Sequence, residues 1–189
     1  MIRLKITGGN LKGRSFFVPE NRVARYTSSK VRQAIFDIIG SPEGLKVLDL
    51  FAGSGSFTME ALSRGAAFAT SVENNKEMLK ALNKNLGVLS LDKDCLVLNM
   101  DVRYAIPFLY KKACNYDIIF IDPPYEKGLA LETMQLFKNS IIYDKNTLFI
   151  LEYSKRDFVD GLALNGWDKV TTKRYGDTAI SIMKMLQVI

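Results

Sequence analysis

Four consecutive residues, Asp122-Pro123-Pro124-Tyr125, follow the apolar run 118–121 with no turn residue between them. Neither proline has an N–H, so neither can extend a hydrogen-bond ladder, and Pro123 biases Asp122 towards an extended backbone. We therefore predict a buried strand that ends in a carboxylate, outward-facing carbonyls and an aromatic ring. Such a group could hold the amino group of a flipped-out nucleobase, although a plain strand end followed by a loop also fits these four residues.

A segment with two glycines, residues 49–55, lies where the first strand of a predicted sheet passes into a helix. Gly53 and Gly55 permit a sharp turn and a close approach of the backbone to a ligand at the helix N-terminus. Thr58 stands where the dinucleotide fingerprint has its third glycine, and no Gly-Lys-Ser/Thr follows. The segment therefore favours neither NAD(P) nor a phosphate-binding P-loop.

Acidic residues stand at or near the C-terminal ends of four successive predicted strands, namely Asp49, Glu73, Asp101 and Asp122. Glu73 follows Gly53 by 20 residues, which is the position of an acid that binds the two hydroxyls of a ribose. Each acid alone could be a helix N-cap or a surface carboxylate. Together they line the edge at which open α/β sheets bind ligands.

An edge rimmed with acids is unfavourable for a phosphate-rich cofactor and favourable for one that carries positive charge. S-adenosylmethionine has a sulfonium, an amino group and an unphosphorylated ribose, so it fits this site. The prediction is methyl transfer from this cofactor to an amino nitrogen held by residues 122–125. The residues predicted to bind the cofactor are Asp49, Phe51, Ala52, Gly53, Ser54, Gly55, Glu73, Asn74, Asp101, Val102 and Asp122.

These residues must be positioned by an α/β fold, because short apolar runs alternate with amphipathic helices from residue 46 onwards. The predicted strands are 47–51, 68–73, 95–100, 118–121, 147–153, 167–175 and 179–186, and the predicted helices are 56–64, 76–86, 102–111 and 129–137. The last two strands are separated by three residues only, which suits an antiparallel hairpin. We expect a mostly parallel, seven-stranded, Rossmann-like sheet closed by that hairpin.

The N-terminal part of the chain carries the positive charge. Residues 1–36 contain eight basic residues and one acidic residue, and the rest of the chain is nearly neutral. We predict a β-hairpin from strands 4–7 and 15–18 with a turn at 8–10, then a helix that is capped by Ser28 or Ser29 and ends near Gly40. The domain prediction is a basic extension over residues 1–40 and a catalytic domain over residues 41–189. The basic surface suggests a polyanionic partner, although it could be simply solvated.

Composition excludes several other chemistries. The chain has no histidine and two cysteines, which argues against a histidine base, a His-based triad and the usual zinc sites, so we expect no metal. Cys95 and Cys114 are expected to be reduced core residues. No apolar run approaches the roughly 20 residues that span a bilayer, and charge interrupts the N-terminus, so we expect a cytoplasmic monomer without a membrane partner.

Taken together, the segment 49–55, Glu73, Asp101 and the Asp-Pro-Pro-Tyr motif resemble class I S-adenosylmethionine-dependent methyltransferases that act on exocyclic amines. The basic hairpin and the small size resemble more specifically the bacterial 16S ribosomal RNA guanine-N2 methyltransferases, the RsmD-like family. Further similar segments are Gly8-Gly9 before Lys12-Gly13-Arg14, Arg25-Tyr26-Thr27 before Lys30-Val31-Arg32, residues 51–55 and residues 60–66. The chain departs from the family at Tyr26, where the family has proline, and at residues 28–30, where it has Thr-Asp-Arg.

The resemblance implies methylation of the N2 amino group of a guanine in 16S rRNA, within a 30S subunit or an assembly intermediate. Asp122 and the Pro123 carbonyl would hold the amino group, Pro124 would complete the motif and Tyr125 would stack on the base. Whether Asp122 or water takes the proton stays open. The basic residues predicted to bind RNA are Arg3, Lys5, Lys12, Arg14, Arg25, Lys30 and Arg32. Alternatives are an adenine-N6 methyltransferase on DNA or RNA and a non-catalytic RNA-binding module.

Overall fold

A computed structural model of the 189-residue chain describes residues 1–20, 27–124, 128–154 and 166–186. The strands are β1 (Ile2–Lys5), β2 (Ser15–Val18), β3 (Lys46–Asp49), β4 (Phe68–Glu73), β5 (Cys95–Asn99), β6 (Ile118–Ile121), β7 (Leu148–Ser154), β8 (Trp167–Tyr175) and β9 (Thr178–Met185). The α-helices are α1 (Ser29–Ile39), α2 (Ser56–Ser63), α3 (Lys76–Leu89), α4 (Val102–Lys111) and α5 (Leu129–Leu136), and a 3₁₀ turn, Phe137–Asn139, follows α5. None of the helices in these described ranges is long and apolar enough to cross a membrane.

Seven strands form one sheet in the order β5-β4-β3-β6-β7-β9-β8. The first five are parallel to one another, and β9 pairs antiparallel with both β7 and β8. This arrangement confirms the predicted mostly parallel sheet with an antiparallel C-terminal hairpin. The strand and helix bounds from residue 46 onwards differ from the predicted ones by no more than three residues.

The N-terminal hairpin is present, and its second strand has the predicted bounds, but the predicted bounds of its first strand were wrong by two residues. The first strand is Ile2–Lys5, and it pairs with β2 from Ile2 opposite Val18 to Lys5 opposite Ser15. The residues after it bind α2 instead of continuing the hairpin: the Thr7 N–H donates to Glu60, and the Asn10 N–H donates to the Ser63 carbonyl at 2.7 Å. The connection between β1 and β2 is therefore a docked loop rather than a tight turn.

Helix α1 begins and ends as the sequence predicts. The Ser28 side chain accepts a hydrogen bond from the Val31 N–H, and Gly40, with φ at 83°, closes the helix C-terminus. The apolar face of α1 buries Ile35 and Phe36 completely or almost completely. Capping and amphipathic spacing together thus fix both the extent and the orientation of this helix.

The hydrophobic residues pack into two clusters, one containing the N-terminal extension and the other containing α4 and α5. In the first cluster the Phe36, Phe57 and Phe120 rings stack in sequence, with centroids 5.3 Å and 3.9 Å apart. Phe36 belongs to α1, Phe57 to α2 and Phe120 to β6, so the first 40 residues share a core with the sheet. The boundary at residue 40 stays a prediction, and the extension it delimits is packed against the rest of the chain.

Candidate active site

The ends of four neighbouring strands bring the predicted acids to one edge of the sheet. Strands β5, β4, β3 and β6 are consecutive in the sheet, and Asp49 lies opposite Phe120 while Glu73 lies opposite Asn99. The chain runs outward in one direction from β3 to β5 and in the other from β3 to β6, so the edge beside β3 is a topological switch point. Ligands bind at such points in open α/β sheets.

The loop after β3 is held in place by Glu73. The Gly53 N–H donates to Glu73 Oε2 at 2.7 Å, and the Asn74 and Asn75 N–H groups donate to Glu73 Oε1 at 2.9 and 2.7 Å. Gly53 has φ of +54°, and a Cβ on it would meet no described atom within 4 Å. Glu73 thus fixes a backbone cradle with free space above Gly53, which fits a ligand that approaches the main chain closely.

Gly55 serves the packing of this loop. Its φ of +87° is in the left-handed region, and a Cβ on it would lie 2.3 Å from Leu82 Cδ1 on α3. Gly55 therefore permits both the turn into α2 and the close approach of α2 to α3. Phe51 is half-buried and Ala52 is buried along the same loop.

Asp49 is a buried carboxylate with a hydrogen bond to one of its two oxygens. Thr58 Oγ1 donates to Asp49 Oδ2 at 2.8 Å, whereas Asp49 Oδ1 has no hydrogen-bond partner within the described ranges. The buried Ser54 Oγ also has none there. Burial raises the pKa of Asp49 to about 7, and the charge of Glu73 adds to the rise. A buried acceptor without a donor is costly, so this side chain fits the positively charged cofactor that the sequence predicts.

Asp49 should make the folding stability depend on pH. A carboxyl whose pKa is raised by folding stabilises the protein below its unfolded value of about 4, and this contribution is lost as the pH rises to about 7. In the wild type we expect this ionisation to lower the free energy of unfolding by roughly 2 to 4 kcal/mol over that pH range. Asp49→Asn cannot ionise, so it should lack this decrease. Urea denaturation at several pH values measures it. The exposed Asp168→Asn is the control, and an Asp49→Asn curve parallel to the wild-type curve would contradict the expectation.

Asp101 lies at the same edge and binds the first turn of α4. It accepts a hydrogen bond from the Arg103 N–H and forms a two-pronged ion pair with the Arg103 guanidinium at 2.8 and 2.9 Å. These hydrogen bonds hold the pKa of Asp101 below its ordinary value. Asn74 reaches Asp101 through its side-chain amide at 3.4 Å, while Val102 is buried in the core beneath. Asp101 is therefore an ionised acceptor whose orientation is fixed.

Asp122 follows β6 directly and lies next to residues from two other parts of the chain. Thr27 Oγ1 is 3.1 Å from Asp122 Oδ2 and 3.0 Å from Glu152 Oε2. Burial raises the pKa of Asp122 well above its ordinary value, and the charges of Glu152 and Asp49 add to the rise. Pro123 is buried and Pro124 is exposed. The predicted stacking residue, Tyr125, lies outside the described residues.

Sequence reasoning missed both Glu152 and Thr27. Glu152 is an acid within the apolar run of β7 and is only 4% exposed. An acidic side chain inside a buried strand was the available signal, because such residues are rarely fully buried without a partner. Thr27 had no comparable signal, because it comes from the N-terminal extension 95 residues before Asp122.

The predicted RNA contacts divide into exposed and buried residues. Five of them are exposed, namely Arg3, Lys5, Lys12, Arg14 and Lys30. Arg25 lies outside the described residues. Arg32 is fully buried: its guanidinium donates to the Thr27 and Lys5 carbonyls at 2.6 and 2.8 Å and lies 3.6 Å from Glu60. Its prediction as an RNA contact was wrong, because it faces the same side of α1 as Ile35 and Phe36.

Comparison with known proteins places this chain among methyltransferase relatives. Residues 4–184 match the family model described as conserved hypothetical protein 95. The chain is 35% identical over 161 residues to the ribosomal RNA small subunit methyltransferase D of Buchnera aphidicola, and the alignment covers 83% of this chain and 81% of the relative. The similarity therefore extends over both the basic extension and the sheet.

Solved structures agree with the fold. The Escherichia coli protein yhhF superposes with a TM-score of 0.83 at 29% identity, covering 98% of this chain and 99% of that one. The structure of SMU.776 complexed with SAH has a TM-score of 0.72 at 21% identity, and the match covers 92% of this chain and 54% of that one. At that identity the second match supports the fold alone.

Proposed function

This chain belongs to the conserved hypothetical protein 95 family of RsmD-like methyltransferases, and from that premise we propose that it methylates the N2 amino group of a guanine in 16S ribosomal RNA, with S-adenosylmethionine as the methyl donor. The observation that carries the proposal is the position of Asp122 at the end of β6, the strand next to β3, where the charge of Asp49 acts on it. A site for a cationic cofactor and an acceptor for an amine are thereby adjacent. The name of the Buchnera relative supports ribosomal RNA of the small subunit as the substrate.

The cofactor-binding half of the site is the loop after β3 with its acids. S-adenosylmethionine, when bound, supplies a methyl group carried on a positively charged sulfur. The negative charge of Asp49 would favour a cationic cofactor at this edge, and the cradle at Gly53 would admit it close to the main chain. Glu73, at the end of β4, would accept from the ribose hydroxyls with the lone pairs that its three backbone N–H donors leave free.

The substrate-binding half is the end of β6. The amino nitrogen of guanine is a poor nucleophile because its lone pair is delocalised into the ring. Hydrogen bonds from its two N–H groups to the Asp122 carboxylate and the Pro123 carbonyl would orient that lone pair towards the methyl group. Positioning of this kind lowers a barrier by several kcal/mol, about 7 to 11 in ideal cases.

Transfer of tritium from labelled S-adenosylmethionine into ribosomal RNA tests the proposal. Free 16S rRNA and 30S subunits from a strain that lacks the gene serve as substrates, and nucleoside analysis identifies the product. N2-methylguanosine in 16S rRNA, with 30S particles favoured, is the expected result. N6-methyladenosine would support the adenine alternative, and absence of both cofactor binding and incorporation would support a non-catalytic RNA-binding module.

Glu73→Gln should weaken cofactor binding more than it slows turnover at saturating cofactor. The uncharged amide loses part of the charge-assisted hydrogen bonding from Gly53, Asn74 and Asn75, so the loop loses its fixed shape. We expect the dissociation constant for S-adenosylmethionine to rise by about 10-fold or more. Isothermal titration calorimetry measures it, with the exposed Glu77→Gln on α3 as the matched control. Equal affinities of the two variants for S-adenosylmethionine would show that Glu73 does not contribute to cofactor binding.

The exposed basic residues of the extension should contribute to RNA affinity through phosphate contacts. Replacing Lys12 and Arg14 with alanine should weaken binding to 16S rRNA. The slope of log K against the logarithm of the salt concentration should become shallower by about one for each phosphate contact that is lost. Binding titrations at several salt concentrations measure the slope. Lys93→Ala, at an exposed position in the turn before β5, is the control. An unchanged slope in the double variant would show that the basic hairpin does not contact the RNA.

A further inference from the structure

One hydroxyl group lies between two carboxylates beside the proposed substrate site. Thr27 Oγ1 is 3.1 Å from Asp122 Oδ2 and 3.0 Å from Glu152 Oε2. Thr27 is 5% exposed and Glu152 is 4% exposed. Three parts of the chain meet here, since Thr27 precedes α1, Asp122 follows β6 and Glu152 lies on β7.

This geometry favours a proton on one of the two carboxyl groups. A threonine hydroxyl has a single hydrogen, so it can donate to one carboxylate only. If both acids were ionised, the other contact would place a charged oxygen against the hydroxyl lone pairs at hydrogen-bond distance. If one acid is protonated, it donates to Oγ1, the hydroxyl donates to the other acid, and both contacts are favourable.

The surrounding charges also favour one protonated acid over two ionised acids. Asp49 adds negative charge near Asp122, while Arg32 is the cation that acts on Glu152. The Arg32 guanidinium also lies near Glu60 and donates to two backbone carbonyls, so it offsets the charge of Glu152 only in part. Burial raises the pKa of Glu152 to about 7 and that of Asp122 well above its ordinary value.

We propose that Thr27 and Glu152 are positioning residues for Asp122, and that Glu152 and Asp122 share one proton through the Thr27 hydroxyl. The protonated acid donates to Thr27, which in turn donates to the ionised one. These contacts orient Asp122, and its second oxygen is free to accept from the amino group of the substrate. The role towards the substrate rests on the proposed function, whereas the shared proton is a property of the protein alone.

Carbon-13 NMR of labelled carboxyl groups tests the shared proton on the free protein. In the wild type we expect Asp122 and Glu152 to respond to the same titration step, at a midpoint well above the ordinary value of an exposed carboxyl group. In Glu152→Gln the amide can donate to Thr27 permanently and the neighbouring charge is gone, so the Asp122 midpoint should fall. If both acids titrate independently at ordinary values in the wild type, the shared proton is disproved.

Methyl transfer tests the positioning role. Thr27→Ser keeps the hydroxyl and Thr27→Val removes it at nearly constant shape, so the valine variant should have a kcat lower than that of the serine variant by about 10-fold or more, with equal cofactor affinity. The wild-type kcat should decline at alkaline pH, where the pair loses its shared proton and Thr27 can donate to only one of two ionised acids. Glu152→Gln, which cannot ionise, should lack that decline. Equal rates for the two Thr27 variants, or superimposable pH profiles, would overturn the positioning role.

The two experiments separate this inference from the proposed function. A linked titration in a protein that methylates no RNA would leave the shared proton standing and reject the proposed function. Ordinary titrations in an active enzyme would reject the shared proton alone.

Discussion

Asp122→Asn is expected to lower kcat for ribosomal RNA methylation by about 10²- to 10⁴-fold, the contribution of a well-placed acid–base or hydrogen-bonding group. The asparagine side chain keeps the shape of aspartate but is neutral, and its amide group offers a donor where the amino substrate needs an acceptor. Single-turnover measurements with saturating S-adenosylmethionine report the methyl-transfer rate, and calorimetry reports the affinity for the cofactor.

Cofactor affinity should separate the role of Asp122 from that of Asp49. Within the part of the chain that the structure describes, Asp122 makes no hydrogen bond to the loop after β3, whereas Asp49 lies at the start of that loop. Asp122→Asn should therefore bind S-adenosylmethionine nearly as well as the wild type. Asp168→Asn, on the exposed face of β8, is the matched control. Near-normal methylation by Asp122→Asn would refute the amine-binding role, and a large loss of cofactor affinity would move Asp122 to the cofactor half of the site.

The placement of the acids at one edge could be predicted because it depends on local signals. Each of the strands β3, β4 and β6 is a short strand that ends at or directly before an acid, and parallel strands put such ends together whatever their order in the sheet. Glu73 illustrates this: its spacing from Gly53 predicted an acid at the end of the second strand of the sheet, although not its hydrogen bond of 2.7 Å from the Gly53 N–H.

The second half of the site could not be predicted because it depends on contacts between distant residues. Thr27 and Glu152 are 125 residues apart in the chain, and nothing in the segment around either one indicates the other. The predicted bounds of β1 were wrong for the same reason. Thr7 and Asn10 bind α2, more than 50 residues away, so local turn signals did not decide where β1 ends.

The prediction for Arg32 was wrong for a different reason. Arg32 was assigned to the RNA-binding surface from its charge alone, without regard to the face of α1 on which it lies. Arg32 precedes Ile35 and Phe36 by three and four residues, so a helix puts all three on one face. The helical period would have assigned it to the interior, whereas Lys30 is exposed. Its burial turns an expected RNA contact into a connection between the extension and the sheet.

That connection is centred on Glu60, which is fully buried on α2. Glu60 accepts hydrogen bonds from Thr7 and from Arg64 Nε, and the guanidinium of Arg32 lies 3.6 Å away. Arg32 is fully buried, whereas Arg64 is 18% exposed at its side chain. The two arginines together compensate one buried carboxylate, so the loss of the deeper one leaves part of its charge without a partner.

Arg32→Ala is therefore expected to lower the free energy of unfolding by about 3 to 5 kcal/mol, the usual cost of breaking a buried ion pair from one side. The Thr27 and Lys5 carbonyls lose their donors in the same variant, and Thr27 belongs to the hydroxyl bridge beside Asp122. Urea denaturation measures the loss, with the exposed Lys30→Ala as control. Arg32→Ala combined with Glu60→Ala should cost less than the sum of the two single changes, because neither charge is then left alone. A loss below about 1 kcal/mol, the range of an exposed pair, would show that Arg32 does not connect the extension to the catalytic sheet.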